Sequence, residues 1–242
     1  MTVSGRDSQL AFSLLWLLLL ACLAPRLGYA DPQNLPEVKG FREFFSLPLD
    51  RASNGCPVRI QGVVLCYDRG WDQLYIHDGQ QTAWLSPQKF PGVFEPGQFV
   101  ELRGQTQLES GSPGWTNLSL TVLGREPLPA PVKLGLGDFA DHFGQWVETE
   151  GWVRVAEPSQ GPLCLVLRDQ GHNALIYVFG KHAAAEARQL VGSKLRVRGI
   201  NASRLQAGQL VSAAMMVPGS DQVETITRAP ADTLKEPVIS ID

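Results

Sequence analysis

The sequence predicts an all-β fold with minor helix, two five-stranded barrels in tandem behind an export signal. Three observations predict it. One order of short, alternating apolar segments occurs twice, across 57–124 and again across 146–219. Each copy has a glycine inside its first segment and another near the end of its fourth: Gly62 and Gly104, then Gly151 and Gly199. Most segments are too short for helices and are bounded by turn residues such as Asp78-Gly79 and Asp169-Gln170-Gly171.

Residues 1–30 read as a signal peptide. Leu10 to Ala24 is apolar apart from Ser13. At about 15 residues it is short of the roughly 20 that a membrane helix needs. Gly28-Tyr29-Ala30 supplies small residues for a cut after Ala30. A lipoprotein cut before Cys22 is the other processing route, and an uncleaved anchor a third. The expected location is periplasmic or secreted. Residues 31–55 form a lead-in, with a short amphipathic helix between Phe41 and Asn54.

The first copy, residues 56–125, runs PVRIQGVVLC, LYIHDG, AWLS, PGQFVELRGQT and LSLTVLG. A Pro-rich connector, 126–144, holds Pro127, Pro129 and Pro131, with one helical turn near Asp138–Phe143. The second copy, residues 145–224, runs WVETEGWVRV, LVLRDQG, LIYVF, VGSKLRVRGIN and LVSAAMMVPG. Residues 225–242 read as an extended tail. Gly151 follows Gly62 by 89 residues, and Gly199 follows Gly104 by 95. The extra residues fall between the third and fourth segments. There the second copy has KHAAAEARQLVG, with Ala183, Ala187, Leu190 and Val191 on one helical face, and the first has the Pro-rich SPQKFPGVFEPG. Five strands in a Greek-key barrel with a connector after the third is the oligonucleotide/oligosaccharide-binding (OB) arrangement. Two unrelated β-sandwich pieces are the competing architecture. The mid-strand glycines are expected where the first strand bends or bulges.

Composition bounds the function. The chain has 242 residues, 44% hydrophobic and 19% charged, which is globular and excludes wholesale disorder. A net charge of −3 argues against a dedicated duplex-DNA binder, which needs clustered cations. Four His and four Cys lie scattered, so no metal site and no cofactor are expected. Cys56 and Cys66 bracket one extended strand, about 30 Å at ~3.3 Å per residue, too far for a disulfide. Cys66 shares parity with Val58, Ile60 and Val64 and reads as a core residue. The sequence holds no Walker loop, dinucleotide fingerprint or nucleophile elbow, so no catalytic residues are expected. Arg103, Arg196 and Arg198 form a modest basic set, read as a solvated stripe.

Strand parity nominates a ligand face on the first barrel. With Leu74, Ile76, Ala83 and Leu85 inward, Tyr75, His77 and Trp84 point outward. Trp71 and Trp115 lie in the flanking loops. Together Trp71, Tyr75, His77, Trp84 and Trp115 form a candidate stacking surface for sugars, bases or partner side chains. Packing between domains or subunits is the alternative use of these rings. Asp78, beside His77, reads as a turn former.

FREFFSLPLDRASNGCPVRIQGVV (41–64), LYIHDG (74–79), PGQFVELRG (96–104) and LPAPVKLGLGDFADHFGQWVETEGWV (128–153) resemble the N-terminal extracytoplasmic region of large bacterial sensor histidine kinases. The resemblance covers roughly residues 37–240. It implies OB-like repeats after a signal peptide, and an input role in two-component signalling. No membrane span or kinase follows the repeats here, so the expectation is a free-standing or shortened relative. Its partner would be a small ligand or a protein such as a membrane sensor kinase. A binder of single-stranded nucleic acid or saccharide through the aromatic face is the alternative function.

Overall fold

A computed structural model describes residues 35–158, 161–180, 184–207 and 209–230. The proposed cleavage site, Cys22, Ala183 and most of the tail lie outside them. Pro36–Asp242 forms one compact unit. No helix among the described residues is long and apolar enough to cross a membrane.

The lead-in folds as two short helices, α1 (Phe41–Phe45) and α2 (Leu49–Ser53), where one was expected. Pro48 separates them at the N-cap of α2, and Gly55, at φ 72°, turns the chain into the sheet. The first sheet follows: β1 (Pro57–Asp68), β2 (Gln73–His77), β3 (Thr82–Trp84), β4 (Gln98–Glu109) and β5 (Ser112–Arg125). Its order is β3-β2-β1-β4-β5. Only a 3-10 turn, Pro87–Lys89, stands between β3 and β4, as three prolines in that stretch dictate.

The connector ends in β6 (Val132–Lys133) and a 3-10 helix, Leu136–His142. The second copy contains β7 (Trp146–Pro158), β8 (Leu163–Asp169), β9 (His172–Val178), α3 (Ala184–Leu190), β10 (Lys194–Asn201) and β13 (Ala214–Val217). The helix sits in the slot the sequence gave it, with Ala187 buried against the core. Strand β7 pairs with β8 and β10, β8 with β9, β9 with β13 in parallel, and β13 with β10. That ring is a closed five-stranded barrel of OB type. Two additions were not expected. A small hairpin, β11 (Arg204–Gln206) and β12 (Gln209–Ser212), interrupts the path from β10 to β13. Strand β14 (Val223–Thr227) returns to pair with β10, so the start of the expected tail belongs to the sheet.

The two copies share one register. Val58 faces Gly104 and Gly62 faces Val100 across β1–β4. At the equivalent places, Val147 faces Gly199 and Gly151 faces Leu195 across β7–β10. The glycines do not carry the bulges of the first strands. Those fall at Leu65 and Arg154, each three residues after its glycine. The glycines serve close approach instead. A Cβ at Gly62 would lie 2.5 Å from the His77 carbonyl oxygen, and one at Gly199 would run into that of Met216.

The first sheet does not close. Among the described residues β3 and β5 do not pair. Ser110 and Gly111, at φ 50° and 80°, make a two-residue hairpin turn that locks β5 onto β4 along nearly its whole length. Trp115, expected in a loop, therefore lies in β5. The lead-in packs against this sheet instead. Phe41, Phe44 and Ala52 are fully buried, and Val38 bridges to Val58 of β1. A second apolar cluster joins sheet to barrel: Leu65, Cys66 and Tyr75 from one side, Trp146, Phe179, Ile200 and Met216 from the other, with Leu128 of the connector.

Candidate functional site

The inward set is buried as parity requires: Leu74, Ile76, Ala83 and Leu85 are all 2% exposed or less. The outward set divides. Tyr75 and Trp84 are paired across β2–β3. With Trp71 they line a cleft of about 580 Å³ between sheet and barrel. Phe143 and Gly144 of the connector, and Asn201 and Met216 of the barrel, complete its walls. His77 lines an adjoining space of about 560 Å³ that shares Thr82, Phe143 and Gly144 with the first. Trp115 is elsewhere, stacked on Phe44 of α1 with ring centroids 3.4 Å apart.

The tryptophans of the cleft are held. The Trp84 indole N–H donates to the Asp72 carbonyl at 2.9 Å, which leaves about half of its surface exposed. Trp71 leans on the barrel, 5.4 Å from the Tyr177 ring and 6.2 Å from Phe179. A side chain at Gly161 would collide with its indole. Asp78 makes the β2–β3 turn by accepting from the N–H groups of Gln80 and Gln81. Its other oxygen accepts from the Phe41 N–H at 2.7 Å, tying α1 to the hairpin.

One polar side-chain atom of the residues lining this cleft has no hydrogen-bond partner among the described residues. The Gln73 amide donates through Nε2 to the Trp71 carbonyl at 2.7 Å, which fixes its orientation. Its Oε1 is buried and accepts no hydrogen bond. Sequence reasoning passed over Gln73, Phe143 and Met216. Gln73 could have been found as the polar residue that opens the strand carrying Leu74, Tyr75 and Ile76. Phe143 and Met216 reach the cleft only through the docking of the two copies.

Burial is the first cause of the shifts in the titratable groups nearby. Burial pushes the Tyr75 phenol up to about 12, with Cys66 adding to the effect. Burial likewise raises the Cys66 thiol, far from the thiolate a nucleophile needs. Burial lowers His77, against the opposing pull of Asp78, so the ring is neutral at pH 7. Cys56, Cys66 and Cys164 are free thiols. Among the described residues no three His, Cys, Asp or Glu side chains gather as a metal site.

The arginines nominated as a basic set are paired. Glu101 accepts from Arg59 at 2.8 Å, from Gln61 at 3.0 Å and from Arg103. In the second copy Arg196 binds Glu150 at 2.7 Å and Arg198 binds Glu148 at 2.7 Å. Both sets lie on the outer face of strands one and four, where partly exposed arginines cover the buried carboxylates of Glu101 and Glu148 instead of forming a solvated stripe.

Strand order and register define a mostly β protein with a closed five-stranded barrel of OB type. No protein-family model matches the sequence, and no curated protein matches it significantly. Among solved structures it is similar to asparaginyl-tRNA synthetase from Pyrococcus horikoshii, at 19% identity and TM-score 0.33, over 44% of this chain and 27% of that one. The chain thus spans about a quarter of that synthetase. It is also similar to a murine DNA binding protein bound with double-stranded DNA, at 10% identity and TM-score 0.32, over 71% of this chain and 99% of that one. A third is fission yeast Pot1 with single-stranded DNA, at 11% and 0.30, over 82% and 89%.

Proposed function

We propose that this chain is a non-enzymatic binding module, exported into the bacterial envelope and tied to two-component signalling, whose ligand occupies the cleft between sheet and barrel. Export and signalling rest on the apolar leader and on the resemblance of residues 37–240 to sensor-kinase input regions. The binding role is carried by one observation, the buried and unpartnered Gln73 Oε1 beside Trp71, Tyr75 and Trp84. A buried acceptor without a donor costs about 1–3 kcal/mol, which a ligand hydroxyl or N–H offsets once the amide turns toward the cleft. The volume lies within the ~300–1,000 Å³ typical of small-molecule sites.

The ring faces suit either a saccharide or the bases of a single nucleic-acid strand. Charge favours the saccharide. Arg42 and Asp72 are the charged groups among the described lining residues of the two adjoining spaces, and they give a phosphate backbone no track to follow. Tryptophan fluorescence, titrated with a panel of soluble glycans and with single-stranded oligonucleotides, tests this. The expected result is saturable glycan binding without turnover, weakened at least about tenfold by Trp84→Ala and by Gln73→Leu. Salt-sensitive oligonucleotide binding would overturn the saccharide assignment, and hydrolysis of the glycan would overturn the non-enzymatic one. Binding indifferent to both substitutions would remove the cleft as the site.

A further inference from the structure

Strand β5 is paired with β4 on one side and, among the described residues, with no strand on the other. Its alternate N–H and C=O groups therefore face outward unpaired, a template for another strand. Protected edges normally carry lysine, proline, an inward-pointing charge or a bulge. From Gly114 to Gly124 this edge carries no charge and no proline, and its irregularities leave the middle of the span regular. Between the kink at Asn117, with φ 53°, and a bulge at Leu123 lies an unbroken stretch, Leu118–Val122. Leu120 and Val122 face the core side, opposite the buried Leu102 and Val100, yet Val122 is 45% exposed. Ser119 and Thr121 point to the other face.

This short stretch is its own complement. Placed antiparallel to a second copy with Leu120 on the two-fold axis, Leu118 lies opposite Val122 and Leu120 opposite Leu120 on one face. On the other face Ser119 lies opposite Thr121, a pairing of hydroxyls. Slipping the register by one residue would set leucines against hydroxyls. No like charges meet, because Leu118–Val122 carries no charged residue. An unrelated strand would need this pattern by chance, whereas a second copy supplies it. We propose that two copies of this chain associate through β5, edge to edge about Leu120, joining their open sheets into one. The assignment is independent of the cleft, which draws on β2 and β3.

Sedimentation equilibrium of the purified chain tests it. The expected mass is that of two chains, against 26.5 kDa for one. Leu120→Lys should raise the dissociation constant at least about tenfold, while Leu123→Lys, outside the paired stretch, leaves the dimer. Because Leu120→Lys can also disturb the sheet, Leu120→Cys provides a second readout. Directly opposed residues in antiparallel strands lie about 4.5–5.5 Å apart, within disulfide reach. Leu120→Cys should cross-link under mild oxidant where the wild type and Val122→Cys do not. A single-chain mass at every concentration, a dimer untouched by Leu120→Lys in a folded chain, or no cross-link through Cys at 120 would each overturn the proposal.

Discussion

The open sheet and the closed barrel are built on the same strand order and the same glycine register, and they part at the connection between the fourth and fifth strands. In the first copy that connection is a two-residue turn, Ser110-Gly111, so β5 has no freedom to leave β4. In the second it is a longer path through β11 and β12, and β13 touches β10 only at Ile200 and Asn201 before swinging to β9. Strand β14 then returns to β10 where the continuous β5 would have run. The two copies thus differ in closure where they differ in this connector. The unclosed copy is stabilised by what lies around it: the helices of the lead-in and the apolar contact with the barrel. That contact also forms the cleft.

The largest expected effect breaks this dependence. Trp146 is central to the contact between the copies, and Trp146→Ala should cost about 3–5 kcal/mol. Calorimetry should then resolve two unfolding transitions, the first copy melting earlier. One transition shifted as a whole would show that the open sheet does not rely on the barrel in the way described.

The glycines sharpen the comparison. Gly62→Ala and Gly199→Ala each force a side chain against a backbone carbonyl, and each should lose about 1–3 kcal/mol in urea denaturation. Gly124→Ala, at a site with open space around it, should stay within about 0.5 kcal/mol of wild type. Equal behaviour of all three would mean that the close strand crossings are not what requires glycine at 62 and 199.

A smaller effect depends on pH. Hydrogen bonds from Arg59, then Arg103 and Gln61, lower the Glu101 carboxyl from 4.5 to about 2. A folded value below the unfolded one means that its stabilisation is complete above about pH 4.5. It fades as pH falls toward 2. Glu101→Gln should therefore lower the urea midpoint at neutral pH, and the difference should shrink steadily on acidification. A difference that grew toward low pH would contradict the sign.

Much of the fold was legible because it depends on local pattern. Alternation through Leu74, Ile76, Ala83 and Leu85 identified the buried face, and the paired glycines identified the repeat. Ala187 and Leu190 marked the helix. Closure was not legible, because whether β5 reaches β3 depends on how Ser110-Gly111 turns the chain, which no strand pattern records. The same holds for the site. Tyr75 and Trp84 follow from parity, but Trp71 meets Tyr177 across 106 positions of sequence, and Trp115 was lost to Phe44 once its loop proved to be strand. The orientation of the Gln73 amide is set by the Trp71 carbonyl, which accepts from its Nε2, and no strand pattern records that contact.

Cross-strand NOEs in the isotopically labelled chain test the central contrast most directly. The Leu175 amide donates to the Ala213 carbonyl and the Phe179 amide to that of Val217, each at 2.9 Å. The account expects NOEs across β9 and β13 at these positions and none between Thr82–Trp84 and Ser112–Arg125. NOEs linking β3 to β5 would show the first copy closed like the second, and silence between Phe179 and Val217 would show that neither closes.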